Sequence, residues 1–368
     1  MPKRLAIIGA ATGQLPICIK AKEMGLEVYV FAWEKDAVCK PYADHFVPIS
    51  ISEKDQIADY CSQVGIDGIV SNCSDVTAEV VSYLTTKLHL PGVDYKHLMT
   101  IRDKYKVRRL ALAIPGLTPI RTQLFDAAAP NAIYPCIVKP ISGSSKLGVS
   151  YVVNEQELTA ALQYAGADKT NIVIEEYIAG HEISVETISY QGNHYIIQTT
   201  DKDSSGAPHF VELGHHQPAQ LPPVIKEKLK TVVPALLTQV RYENGPAHIE
   251  FKYNGDSLYL IEINPRGGGD EISNRLVQLS NGQDYLRYMI EVALGEFKGI
   301  QKTVEHAYAG IYFLCRQTEQ YLPAFERTDH PDWLVEKQVT TAQLNDSTSN
   351  YDRNGYLIYH ADHKIILT

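Results

Sequence analysis

His248-Ile249-Glu250-Phe251 and Tyr259-Leu260-Ile261-Glu262-Ile263-Asn264-Pro265-Arg266 are the two stretches on which the reading of this 368-residue chain turns. As adjacent antiparallel strands they would bring Glu250, Glu262, Asn264 and Arg266 together. Glu262 and Asn264 are separated by one residue, so in a strand they face the same side and can both offer oxygen to one cation. Hard oxygen donors of this kind suit Mg²⁺ bridging nucleotide phosphates. Arg266 adds a planar fork for carboxylate or phosphate oxygens. Taken alone, the same residues would equally serve the solvent face of an ordinary hairpin.

Three upstream stretches carry related chemistry. The first is Lys139-Pro140-Ile141-Ser142-Gly143-Ser144-Ser145-Lys146-Leu147-Gly148-Val149-Ser150, a strand ending in lysine followed by small residues whose backbone N–H groups are free to wrap phosphate oxygens. It lacks the Gly-x-x-x-x-Gly-Lys-Ser/Thr order of a Walker loop, and a plain Gly/Ser turn has the same composition. The second is Ile172-Val173-Ile174-Glu175-Glu176-Tyr177-Ile178-Ala179-Gly180-His181-Glu182, an apolar strand running into a short linker. Such a linker can read an adenine through its backbone, with Glu182 accepting from ribose hydroxyls, or it is a simple connection with solvated carboxylates. The third is the basic helix from His97 to Ala113 with Lys104, Lys106, Arg108 and Arg109. Most of these basic groups read as a solvated face; Lys104, near the junction of two lobes, is the one placed to reach phosphates.

Around these motifs the chain divides into lobes. Residues 5–8, 28–31, 46–49 and 68–70 are short apolar strands separated by helical stretches, the alternation of a parallel α/β sheet. From Pro115-Gly116 onward the pattern changes to hairpin-like strands, giving an α+β middle lobe, and beyond Gly180 a second α+β lobe follows. Chain length favours two or three such lobes. The expected boundaries are 1–97, 98–180 and 181–368.

Composition excludes several classes. A formal charge of −9 leaves no global positive field for nucleic acid or an anionic membrane. No run approaches the roughly 20 apolar residues that cross a bilayer. The six cysteines are scattered singly, as in a reducing cytosol, so a cytoplasmic location is expected. Gly9-x-x-x-Gly13-Gln14 lacks the full dinucleotide fingerprint.

Lys104, then Lys139 with the loop from Gly143 to Ser150, then Glu175 to Glu182, then Glu250, Glu262, Asn264 and Arg266, in this order, resemble the ATP-grasp superfamily. The resemblance spans essentially the whole chain and implies an α/β N-terminal domain followed by two α+β lobes that hold ATP between them. It implies that Lys104 and Lys139 bind the α- and β-phosphates and that Ser144, Ser145 and Lys146 lie in the loop over the β- and γ-phosphates. Glu175, Tyr177 and Ile178 would form the adenine linker, and Glu182 would hold the ribose. Glu250, Glu262 and Asn264 would bind Mg²⁺, with Mn²⁺ as an alternative, and Arg266 would act with Lys139 in catalysis. The implied reaction is ATP-dependent joining of a small-molecule carboxylate to an amine through an acyl phosphate, most simply on an amino acid. A carboxylating or phosphoryl-transfer enzyme, or a silent nucleotide-binding regulator, is the alternative. By similarity to the amino-acid-ligase branch, Lys202, His215, His216, Arg266, Gly268 and Gly269 are expected at the substrate, and a homodimer is the expected assembly. His215 and His216 are neighbours, so a strand would turn them to opposite faces, one of them packed.

Overall fold

The parallel N-terminal sheet follows from strands that are apolar on both faces. In the computed structural model, which describes residues 1–127, 132–143, 147–166, 171–301, 307–341 and 343–367, Leu5 and Ile7 enter one core with Ile17, Val28 and Val30. Ala6 and Ile8 enter another with Ile57, Ile69 and Leu84. A strand buried on both sides needs helices on both sides, which is what parallel connections supply. The strands are β1 (Arg4–Ile8), β2 (Glu27–Phe31), β3 (His45–Val47) and β4 (Gly68–Val70), in the order β3-β2-β1-β4. Among the helices between and after them, Asp75–Leu88 begins at Ser74, whose side chain accepts from Thr77 N–H.

A four-stranded antiparallel lid follows: β5 (Thr122–Leu124), β6 (Cys136–Pro140), β7 (Ser150–Val152) and β8 (Ile172–Glu176), ordered β5-β8-β6-β7. The third sheet has eight strands. They are β9 (His181–Tyr190), β10 (Asn193–Ser204), β11 (Glu212–Gln217), β12 (Gly245–Asn254), β13 (Ser257–Asn264), β14 (Tyr308–Leu314), β15 (Leu334–Val339) and β16 (Gly355–Ala361). Their order is β13-β12-β9-β10-β11-β14-β16-β15, so the hairpin that opened the sequence reading forms one edge.

One expectation is corrected. The single helix from His97 to Ala113 is two helices, Tyr95–Arg102 and Lys104–Ala111. They break at Asp103, which leaves helical geometry and caps the second helix by accepting from Lys106 N–H at 2.9 Å. Lys104 therefore stands at a helix start rather than mid-helix. Both helices also pack on the large sheet, with Leu98, Ile101 and Val107 in one cluster with Ile183, Val185, Ile249 and Leu260. The helix Tyr285–Ala293 returns to the N-terminal core, where Tyr285, Met289 and Ile290 join Leu5 and Ile17. Among the described residues no helix is long and apolar enough to cross a membrane.

Candidate active site

Strand alternation assembles a charged face on the large sheet. Glu182, Ser184 and Glu186 recur at every second position of β9, and His248, Glu250 and Lys252 do so on β12. Register aligns the two sets: Glu250 lies opposite both Ser184 and Glu262, and His248 opposite both Glu186 and Asn264. Lys202 of β10 pairs in register with Glu182 and His215. Glu250 accepts from Lys202 at 2.6 Å and lies 3.1 Å from His248 Nε2. The other ring nitrogen of His248 meets Glu186. Burial works against charge on His248, but Glu186 and Glu250 outweigh it and raise the imidazole to about 9. Burial also opposes the charges of Lys202 and Glu250, yet the neighbouring carboxylates hold Lys202 well above its ordinary value. Lys202 and His248 in turn keep Glu250 well below its own.

The lid and the helix Lys104–Ala111 contribute the facing cations. Lys139, the penultimate residue of β6, pairs with Glu175 of β8 at 2.6 Å. Glu175 is also 2.7 Å from Arg108 Nε, and Arg108 Nη2 donates to Ile261 O of β13 at 2.7 Å. Burial would raise Glu175, but Arg108 and Lys139 overcome it and hold the carboxyl at about 2. Burial lowers Lys139, with Arg108 and Lys104 adding to the effect against Glu175. Lys104 donates to Gly143 O at 3.1 Å and pairs with Glu262 at 3.1 Å. Arg108, read from sequence as part of a solvated face, is 6% exposed.

Between the two faces lies a cleft with about 950 Å³ of atom-free space, counting its solvent-open mouth. It is lined by the apolar side chains of Ile137, Val149, Tyr177, Ile178, Phe210 and Ile261 and by the charged ones of Lys104, Lys139, Glu250 and Glu262. An apolar slot leading to a few convergent charges is the usual design of a nucleotide-sized site. Glu182 and Lys252 lie along the same wall. Glu175 lines the cleft too, with its carboxylate taken up by Arg108 and Lys139. Ser144, Ser145 and Lys146 lie outside the described residues.

The donors present fit Mg²⁺. Glu250 and Glu262 are direct cross-strand partners, and Asn264 follows on the same face, buried at 6% exposure. Each carboxylate is balanced by a lysine, Glu250 by Lys202 and Glu262 by Lys104. Among the described residues no group of three or more His, Cys, Asp or Glu has metal-binding geometry. Two carboxylates and an amide oxygen suit an ion that takes one or two carboxylates and fills its shell with phosphate oxygens and water, as Mg²⁺ does.

Beyond the carboxylates lies a clamped glycine loop. Arg266 Nε contacts Asp75 of the N-terminal lobe at 3.1 Å, and its Nη1 donates to Gly267 O at 3.0 Å. A Cβ on Gly267 would sit 2.4 Å from Asn72 Oδ1, and one on Gly268 would sit 2.9 Å from His248 Nδ1. Gly268 N–H donates to Glu186 at 3.1 Å, and its carbonyl accepts from Ser273 Oγ at 2.6 Å. Gly269 has open space where a Cβ would be. Asp270 receives two bonds from Arg353, at 2.7 and 3.0 Å, and lies 3.6 Å from His215 Nε2.

His216 faces the other way. Its ring bonds Tyr359 OH at 3.0 Å and Asp203 at 2.9 Å and stacks on Tyr359, so the expected substrate contact is corrected to a core histidine. His215, in register with Lys202, is the member of the pair on the cleft face. Lys202, with Glu182, Glu212 and Glu250 within 3.6 Å, is a hub among carboxylates rather than a free substrate ligand. Sequence reasoning missed Glu186, His248, Arg108 and the Asp270–Arg353 pair. Alternation about Glu250 would have exposed His248; nothing local marks Arg353.

Residues 132–275 match the ATP-grasp domain family. Within residues 132–275 the chain thus carries an ATP-grasp domain. The L-amino acid ligase of Bacillus licheniformis superposes with a TM-score of 0.82 at 24% identity, covering 98% of this chain and 94% of that one. Formate-dependent phosphoribosylglycinamide formyltransferase of Mycolicibacterium smegmatis is 24% identical over 72% of this chain and 70% of its own length. Pyruvate carboxylase of Staphylococcus aureus is 25% identical over 67% of this chain, a match that spans only 20% of that enzyme.

Proposed function

We propose that the protein is a Mg²⁺- and ATP-dependent ligase that activates a small carboxylate as an acyl phosphate and joins it to an amine. The observation that carries this reading is one cleft lined by Lys104, Lys139, Glu250 and Glu262 together with apolar side chains such as Ile137, Tyr177 and Phe210. Arg266 and its glycine loop lie beyond the carboxylates, on the large sheet and against the N-terminal lobe.

In this reading Tyr177 and Ile178 border the adenine and Glu182 the ribose. Lys104 and Lys139 hold phosphate oxygens. Glu250, Glu262 and Asn264 hold Mg²⁺, which when bound screens the charge of the phosphate oxygens; Mn²⁺ has the same donor preference. A substrate carboxylate oxygen attacks the γ-phosphorus as the bond to the β-phosphate oxygen breaks, giving acyl phosphate and ADP. The amine then attacks the acyl carbon, loses a proton, and phosphate leaves. Negative charge spreads over the phosphoryl oxygens in the first step, so fixed cations there lower the barrier. Arg266 is the group we assign to the substrate carboxylate and acyl phosphate. Gly268 and Gly269 let a small substrate approach the backbone, and His215 borders the same end.

The test is ADP release measured over a panel of amino acids and other small carboxylates with and without amines. Ligation requires ADP formation that depends on both substrates. ADP formed with bicarbonate as the only carboxylate would move the reading to carboxylation, and ATP binding without turnover would move it to a regulator.

A further inference from the structure

Arg108 lies behind the cleft rather than in its wall, on the helix Lys104–Ala111, and is almost fully buried. Its guanidinium reaches two elements that the nucleotide reading depends on. One is Glu175 of the lid, through Nε at 2.7 Å and Nη2 at 3.1 Å. The other is Ile261 O on β13, the residue before Glu262, through Nη2 at 2.7 Å. Glu175 is in turn the partner of Lys139 at 2.6 Å.

Charge at the phosphate end makes this arrangement informative. Lys104 is matched by Glu262, and Lys139 by Glu175, so these two pairs alone would present anionic phosphates with no surplus positive charge. Arg108 places a second cation on the same Glu175 carboxylate and leaves that cluster with a net charge of plus one. A carboxylate shared between two cations also grips each less tightly, which frees Lys139 to turn toward a phosphate oxygen.

We propose that Arg108 is a positioning residue: by sharing Glu175 it keeps Lys139 available to the phosphates. The proposal rests on the reading of the cleft as an ATP site. A plain brace would need the shape of Arg108; this role needs the balance of charge. The two separate in the pair of variants R108Q and R108Q/E175Q. R108Q leaves Lys139 and Glu175 neutral together, whereas the double variant removes both outer charges and returns the cluster to plus one.

The experiment is Mg²⁺-ATP binding by calorimetry at low ionic strength to wild type, R108Q, R108K and R108Q/E175Q, with thermal unfolding as a check on folding. R108Q is expected to bind roughly 10-fold to 100-fold more weakly, the range for one unit charge close to an anion in a partly screened site. R108K and the double variant are expected to recover to within about threefold of wild type. Wild-type affinity in R108Q would overturn the proposal, as would a double variant no tighter than R108Q. If R108Q fails to fold, weak binding by both R108K and the double variant overturns it and recovery in both supports it. Absence of binding to the wild type would remove the nucleotide reading itself, and this proposal with it.

Discussion

Replacing Glu262 by Gln removes one negative charge and almost no volume, and the structure sets different magnitudes for its effects on folding and on turnover. The ion partner of Glu262 is Lys104 at 3.1 Å, with the two side chains 31% and 14% exposed. A pair that reaches solvent contributes roughly 0–1 kcal/mol, and Lys104 keeps its bond to Gly143 O. Such a loss corresponds to a melting shift of about 4 °C at most. Turnover should respond far more. A preorganised group acting on the charge of the transferring phosphoryl contributes on the order of 10²- to 10³-fold to the rate. The assay is ADP release alongside thermal unfolding of the same preparations. Activity within about tenfold of wild type in a folded E262Q would refute the assignment of the metal strand. Glu250→Gln is the poorer probe, because Glu250 also pairs with the buried Lys202 and His248, so the substitution perturbs a buried ion network as well as the metal strand.

Three further outcomes follow from the geometry. His216→Ala, on the far side of the sheet, should lose about 2–4 kcal/mol of stability through the cavity and the unpaired Tyr359 hydroxyl, read by denaturant unfolding, with KM for every substrate unchanged; a raised substrate KM would contradict its placement. Gly267→Ala pushes a methyl against Asn72 and Ser273, so kcat/KM for the carboxylate should fall about tenfold or more while ATP affinity holds; equal loss for ATP would show a general collapse. Glu175, held at about 2 in the folded protein, adds stability that is fully present above the ordinary carboxyl value and is lost as pH falls through about 2. Urea unfolding from pH 5 to pH 2 should therefore show a shallower acid decline in E175Q, and parallel declines would contradict the buried ion cluster.

The legible parts of the molecule were those set by short-range pattern. Short apolar runs such as Leu5–Ile8 alternating with helical stretches signal strands covered on both faces, so the N-terminal sheet could be read without knowing its partners. Glu250 and Glu262 were legible because a strand's alternation puts Glu262 and Asn264 on one face and a hairpin brings Glu250 opposite. The helix break at Asp103 was missed because the basic run suggested continuity, although an aspartate before a helical stretch is a capping signal. Arg108 was misread because its burial depends on Glu175, far along the chain on another lobe, while its neighbours Lys106 and Arg109 are solvated as a basic helix face should be. Asp270 and Arg353 meet only because β16 closes beside β14, which no local feature announces. Likewise, alternation separated His215 from His216 but could not say which of them faced the cleft.

The most direct test of the account is calorimetric titration of ATP into the wild-type protein with Mg²⁺ and again with the metal chelated. Binding near one equivalent that weakens sharply on chelation is the predicted result, since Glu250 and Glu262 cannot face a polyphosphate without a cation between them. No heat of binding under either condition, or equal affinity in both, would contradict it.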